Sequence, residues 1–337
     1  MTRSALLFLA SLACCSAWAH HSAIGVFDTG RTIEVSGTVE SFSWRNPHGL
    51  IVLAGDDGRE WHAETTAVSM MRNRGVSTDE MLAVGDRVTL AGSPHVRDIP
   101  EIEARNILLP SGYEFDFGSG NPHFAAGRNG NLVGRVAYDA ALDDATATAH
   151  GIYRVWSSVL SDPDSFPMFT GGYPMTPAGE AALATWDPLD NDLMRCGSKA
   201  MPLIMITPFP IEFVRQGDDI LMRIEEFDAQ RVIHMADVVV PLVEHTQYGF
   251  TRGRWEGSTL VVETDRIHAH YLDMDGAPQS DRITLVERFI PNADYSRLDY
   301  RLTITDLVYY SEPFELTRYW VWRPEMRVHP FECLERY

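Results

Sequence analysis

Two charged residues, Glu287 and Arg318, lie on strand faces that are otherwise apolar. In the segment 282–290, Glu287 alternates in phase with Ile283, Leu285 and Phe289. In the segment 314–323, Arg318 shares its face with four apolar residues, Phe314, Leu316, Trp320 and Trp322. Because a buried charge is costly unless it is paired, we expect Glu287 and Arg318 to meet inside a β domain. Such a pair either fixes strand register or orients a bound molecule.

Aromatic side chains are predicted to surround this pair. The candidate ligand-binding residues are Tyr300, Trp320, Trp322, Phe289 and His234. The pattern favours a protein that binds a small, mostly apolar or aromatic molecule. The alternative is an isomerase, cyclase or lyase without an organic cofactor, in which Glu287, Arg318 or His270 transfers a proton. The sequence leaves open whether the protein is an enzyme and what its oligomeric state is.

The segment 268–276 concentrates groups that could bind a metal or move protons. His268, His270 and Asp273 lie within six positions of one another. Imidazole and carboxylate groups are zinc ligands as well as general acids and bases. The alternative is a polar hairpin tip that turns at Asp275-Gly276.

The N-terminal region contains a candidate copper site. If a leader is removed after Ala19, the mature chain begins with His20 and His21. A free N-terminal amine and neighbouring imidazoles can chelate Cu(II), and His48 is the candidate third ligand. Histidines at a solvated terminus also commonly bind nothing, so copper is a possible cofactor rather than an assigned one.

Residues 1–19 have the pattern of a secretory signal. Arg3 gives a positive start, a short apolar run follows, and Ala17-Trp18-Ala19 is an A-x-A cleavage site. The run is shorter than the roughly 20 residues that a transmembrane helix needs, and no other segment approaches that length. We therefore expect a periplasmic or secreted protein without a transmembrane segment.

Export changes the interpretation of the cysteines. Two of the four lie in the signal, which leaves Cys196 and Cys333. An even pair in an oxidising compartment predicts a disulfide. A free catalytic thiol is the alternative.

The N-terminal half predicts a small barrel. Residues 20–112 contain five short strand patterns, with a short helix after the third, which is the order of an OB-like barrel. The turn 46–49 and the Asp57-Gly58 hairpin separate its first strands. Residues 113–148 lack periodicity and are interpreted as a linker.

The C-terminal half, residues 149–337, predicts a larger antiparallel β domain. A short helical excursion at 176–187 begins with Thr176 as N-cap and Pro177 at the first helical position. Eight strands are expected at 220–227, 230–235, 252–256, 259–267, 282–290, 297–305, 314–323 and 327–333. The fold class is therefore mainly β, with an eight-stranded, lipocalin-like barrel or a curved sheet in this half. A packed sandwich without a cavity is the alternative.

The charge balance argues against a nucleic-acid partner. The chain has 337 residues, with 28 basic and 47 acidic side chains and a formal net charge of −19. Lys199 is its only lysine, so the basic patch that neutralises phosphates is missing. The chain also lacks the common nucleotide-binding and hydrolase motifs. A small-molecule ligand is the remaining partner class.

Several motifs resemble an exported bacterial family of unknown function. They include His20-His21-Ser22 and the run Trp44-Arg45-Asn46-Pro47-His48 near the N-terminus, and the run from Arg252 to Thr264 in the second half. The resemblance implies an exported β protein in two parts and assigns no activity. Gln279 departs from it, because the family pattern has a histidine there.

Overall fold

The computed structural model describes most of the chain from residue 26 onward. The described ranges are 26–73, 81–117, 122–124, 146–147, 149–159, 162–167, 169, 171–187, 197–235, 244–324 and 326–331. Strands dominate these ranges and form two closed barrels.

The N-terminal unit is a closed barrel of five strands, which confirms the OB-like prediction. The strands are β1 (Ile33–Ser43), β2 (Leu50–Gly55), β3 (Glu60–Glu64), β4 (Arg87–Pro94) and β5 (Glu101–Leu108). They lie in the order β3-β2-β1-β4-β5, and a parallel pairing of β3 with β5 closes the barrel. Helix α1 (Val68–Asn73) follows the third strand. A short strand β6 (Glu114–Asp116), inside the span expected to be a linker, adds to β5.

A glycine lets two strands of this barrel approach closely. The pairing of β4 with β5 shifts by one residue between Ala91 and Gly92, which marks a β-bulge. A Cβ atom on Gly92 would lie 2.0 Å from the carbonyl oxygen of Glu103. Only glycine therefore fits this bend without moving the neighbouring backbone.

The C-terminal unit is a closed barrel of nine strands. They are β7 (Val155–Ser157), β8 (Ile211–Gln216), β9 (Asp219–Ile224), β10 (Ala229–His234), β11 (Phe250–Glu256), β12 (Thr259–Asp265), β13 (Thr284–Pro291), β14 (Arg297–Thr305) and β15 (Phe314–Trp322). β10 to β15 follow one another around the barrel, and β7, β8 and β9 close it between β15 and β10. Helix α2 (Pro177–Leu183) is capped by Thr176, whose hydroxyl accepts a hydrogen bond from the Gly179 amide.

The barrel prediction is confirmed, but the expected number and pairing of strands were wrong. Strands β7 and β8 complete the barrel, whereas the described part of the expected strand 327–333 is not extended into a sheet. The amides of His329 and Phe331 donate to the carboxylates of Glu225 and Asp228 instead of to a strand. β10 and β11 pair in parallel, because a long connection between two strands, unlike a tight turn, allows parallel pairing.

Residues 326–331, the C-terminal strap, connect the two barrels. Phe331 packs between Phe209 and Phe227 of the large barrel and Ala67 of the small one. Its carbonyl oxygen accepts a 2.6 Å hydrogen bond from the side-chain amide of Asn46. Asn46 is fully buried and accepts hydrogen bonds from the backbone amide and hydroxyl of Ser69. One residue of the N-terminal motif therefore holds the two barrels together.

Replacing Asn46 with alanine is expected to lower the free energy of unfolding by about 1–3 kcal/mol, because buried polar groups then lose their partners. Urea unfolding of the full chain measures the change. Asn292→Ala, at an exposed turn where the side chain bonds to Ser296, is the matched control. Equal losses in the two variants would contradict a coupling role for Asn46.

Candidate functional site

A buried ion pair lies inside the nine-stranded barrel, between Glu287 on β13 and Arg231 on β10. One terminal nitrogen of Arg231 donates to Glu287 Oε1 at 3.0 Å, and the other donates to Oε2. The hydroxyl of Tyr300 also donates to Oε1, at 2.9 Å, and that of Thr264 donates to Oε2 at 3.3 Å. Each carboxylate oxygen thus has two donors, which is the condition under which a buried charge is tolerated.

The protonation states within this network follow from burial and charge. Burial opposes the positive charge of Arg231, but the adjacent carboxylate of Glu287 outweighs it and raises the pKa of Arg231. Burial, reinforced by the same carboxylate, raises the pKa of Tyr300 well above its ordinary value. Tyr300 therefore keeps its proton and acts as a hydrogen-bond donor to Glu287.

The expected pairing of Glu287 with Arg318 was wrong, although both side chains are interior. Arg318 donates to the backbone oxygen of Met205 and to the hydroxyl of Ser158, and its guanidinium lies 4.4 Å from the ring centroid of Trp320. No carboxylate among the described residues forms an ion pair with it. Arg231, rather than Arg318, occupies the position facing Glu287 across the barrel.

Arg231 could have been found by the reasoning that identified the other two charges. In β10, Arg231 alternates in phase with Ala229 and Ile233, and all three are buried. The sequence therefore contained a third charge on an apolar strand face. Strand order across a closed barrel then decided which arginine meets Glu287.

Three of the predicted ligand-binding aromatics pack against one another. Tyr300 lies 5.0 Å from Phe289 and 5.2 Å from Trp320, measured between ring centroids. All three are fully buried. They form one wall of the barrel interior, directly beside the ion pair.

The other two predicted ligand-binding residues lie apart from this wall. Trp322 is half-buried, and its ring is covered by the guanidinium of Arg154 at 4.2 Å. His234 hydrogen-bonds to Asp219 at 2.9 Å and stacks on Phe250. The structure therefore gives each of them another partner.

A 3₁₀ turn, Leu203–Ile206, supplies a residue that contacts both interior arginines. The sulfur of Met205 lies 3.5 Å from a terminal nitrogen of Arg231, and the backbone oxygen of Met205 binds Arg318. Met205 is fully buried although it belongs to no strand. We call this turn the plug. No pattern of period two marks the plug, so the sequence did not predict it.

The histidine-rich loop is arranged as a structural turn in the described residues. Asp273 is buried, and its Oδ1 accepts hydrogen bonds from the amides of Asp275 and Ala277. His268 hydrogen-bonds to Asp281 and lies edge-on to His270. Among the residues with described positions, no group of three His, Cys, Asp or Glu side chains is placed to hold a metal ion.

Several predicted functional residues fall outside the described ranges. These are His20 and His21 of the candidate copper site and both cysteines of the expected disulfide, Cys196 and Cys333. His48 is described, and its Nδ1 lies 3.3 Å from the carbonyl oxygen of Thr65. The copper site and the disulfide stay predictions.

The small barrel has a surface cleft of about 670 Å³. Its floor includes Val35 and Trp61, and its rim is charged. The rim acid Asp57 binds Arg59 at 2.8 Å, and the rim acid Asp56 binds Arg87. Both of these rim acids therefore already have an arginine as counter-ion.

The fold and its interior define a protein of two β-barrels. The larger barrel encloses one arginine that is paired with a carboxylate and one that has only neutral partners among the described residues. Residues 8–99 match a family of unknown function, DUF6152, in agreement with the resemblance seen in the N-terminal motifs. No curated protein matches the chain. None of the helices in the described ranges is long and apolar enough to cross a membrane.

Proposed function

We propose that the protein is exported and binds a small, mostly apolar or aromatic molecule inside the nine-stranded barrel. Barrels of about eight strands enclose just enough space for one small ligand, and nine strands make a slightly wider interior. The wall formed by Phe289, Tyr300 and Trp320 offers the aromatic surface that such a ligand would contact.

The observation that carries this proposal is a pair of interior polar atoms without partners. The indole nitrogen of Trp320 and the side-chain oxygen of Gln279 are buried, and neither has a hydrogen-bond partner among the residues that the structure describes. Buried polar atoms are satisfied in the great majority of cases. A few polar groups that can fix the orientation of a bound molecule are what a mostly apolar ligand-binding interior requires.

Displacement of the plug would make space for the ligand inside the barrel. Methionine is flexible and adapts to different surroundings, and Met205 lies on a turn rather than a strand. Moving it breaks no strand pairing of the barrel. Gln279 already binds the backbone oxygen of Met201, next to the plug, at 3.0 Å. Met205 belongs to the same buried cluster as Phe289, Tyr300 and Trp320, so a ligand that replaces it would lie in the part of the core that contains the aromatic wall.

Replacing Met205 with alanine is expected to destabilise the ligand-free protein by about 2–4 kcal/mol, because it leaves a cavity in a packed core. The same change should allow toluene or indole to bind in that cavity, as apolar cavities do. Urea unfolding measures the first effect, and the rise in melting temperature with added probe measures the second.

Met70→Ala, in the small barrel where Met70 is only partly buried, is the matched control and should not bind either probe. If Met205→Ala lost stability but gained no binding, the barrel interior would be only a packed core. The proposed function would then be wrong.

The contacts of Glu287 favour binding over proton transfer at that residue. Both of its oxygens accept hydrogen bonds from Arg231 and from a hydroxyl group. A general base needs an oxygen that can reach the substrate proton. We therefore prefer a binding protein to the isomerase, cyclase or lyase alternative.

Export gives a test of its own. The mature protein is expected to begin at His20, because Ala17-Trp18-Ala19 fits a signal-peptidase site. Intact-mass measurement of protein from the periplasmic fraction would find a chain that lacks residues 1–19. An uncleaved chain in the cytoplasm would contradict export.

A further inference from the structure

We propose that the ligand of the nine-stranded barrel carries a negatively charged group, a carboxylate, that pairs with Arg318. This inference rests on the proposed function and adds the chemical class of the ligand. It is carried by the difference between the two interior arginines.

The two arginines are equally buried but differently compensated. Arg231 has the carboxylate of Glu287 as its counter-ion. Arg318 is 3% exposed and has only neutral partners in the described structure: a backbone oxygen, a hydroxyl group and the face of Trp320. A guanidinium remains charged at neutral pH, so the barrel interior contains one positive charge that no carboxylate of the described residues pairs with.

Free donors surround this charge. The Nε–H of Arg318 and the indole N–H of Trp320 are both buried without an acceptor in the part of the chain that the structure describes. Because both groups are hydrogen-bond donors, their partner must be an acceptor. An ionised carboxylate only accepts hydrogen bonds and therefore fits. Charge-assisted hydrogen bonds of this kind are about twice as strong as neutral ones.

The plug connects the charge to the proposed mode of binding. A terminal nitrogen of Arg318 now donates to the backbone oxygen of Met205. When the ligand displaces the plug, this donor loses its acceptor, and the carboxylate of the ligand replaces it. The apolar body of the same molecule would then lie against Phe289 and Tyr300. The ligand class is therefore an organic acid with an apolar or aromatic body.

Pairs of probe molecules that have nearly the same shape but differ in charge test the effect of the ligand's charge separately from that of its shape. Hydrocinnamate and octanoate carry the carboxylate, and hydrocinnamamide and octanamide are their neutral counterparts. Isothermal titration calorimetry with the full mature chain is expected to show at least about tenfold tighter binding of each acid than of its amide.

Arg318→Met removes the charge while keeping an unbranched side chain, and it should abolish the preference for the acids. Arg301→Met, at an exposed position of β14, is the matched control and should retain the preference. Arg318→Gln serves as a second variant if the methionine variant does not fold.

The outcomes separate the two proposals. Preference for the acids in the wild-type protein, lost only at Arg318, supports the inference. Equal binding of acids and amides overturns the carboxylate assignment and leaves the proposed function in place. Binding of acids that persists in both Arg318 variants also overturns the assignment. If no probe binds the wild-type protein or Met205→Ala, the proposed function fails, and this inference fails with it.

Discussion

Replacing Arg231 with methionine is expected to lower the free energy of unfolding by about 3–5 kcal/mol, the usual cost of leaving one member of a buried ion pair alone. The substitution would leave Glu287 fully buried without its counter-ion, with the hydroxyls of Tyr300 and Thr264 as its remaining donors in the described structure. Urea unfolding at neutral pH, followed by tryptophan fluorescence and by circular dichroism, measures the loss.

A second substitution tests whether the cost arises from the unpaired charge. Arg231→Met combined with Glu287→Gln removes both charges and keeps a side-chain oxygen that can accept from Tyr300. The double variant should regain most of the stability that the single variant loses. If it is as unstable as Arg231→Met alone, lost packing rather than charge explains the effect, and the electrostatic account is wrong.

The two-barrel architecture could be predicted because each half has a local signal. Alternation of apolar and polar residues marks strands such as β14, where Leu298, Tyr300, Leu302 and Ile304 are all buried. Pairing across the barrel has no such signal. Strand β7 has only three residues, too few for a pattern of period two to show that it closes the barrel between β8 and β15.

The interior site was predicted in part for the same reason. Alternation placed Glu287, Tyr300, Arg318 and Trp320 inside the barrel, and they are inside. It could not show which of them meet, since that depends on strand order and on which residues face each other. Tyr300 lies opposite Arg318 in the pairing of β14 with β15, yet its hydroxyl reaches Glu287 instead.

Elements without a periodic pattern of apolar residues could not be predicted from the sequence. Met205 on the plug and Phe331 on the strap both contact buried residues from an irregular backbone. Their positions are fixed by tertiary contacts: Met205 by the interior arginines, and Phe331 by Asn46 and two phenylalanines. No local spacing distinguishes such residues from those of any other loop.

Replacing Arg318 with methionine is expected to have the opposite effect to the change at Arg231. In ligand-free protein, refolded from denaturant to remove any bound molecule, Arg318→Met should raise the free energy of unfolding. The gain should be about 1–4 kcal/mol, the size of the gain seen when buried ion pairs are replaced by apolar residues. The reason is that Arg318 has no counter-ion among the described residues, whereas Arg231 has Glu287. Urea unfolding beside Arg301→Met measures the difference, and a loss of stability would contradict it.

The pH dependence of this gain follows from the pKa of Arg318, which burial lowers from its ordinary value to about 9. Below about pH 9 the guanidinium is charged in both states, and folding bears the full cost of burying it. Above about pH 9, and up to the ordinary pKa of an arginine, the folded protein has released a proton that the unfolded chain still binds, so this cost shrinks as the pH rises. The stability advantage of Arg318→Met over the wild-type protein should therefore be largest at neutral pH and smaller near pH ~10.5. An advantage that stays constant over this range would show that the unpaired charge is not its source.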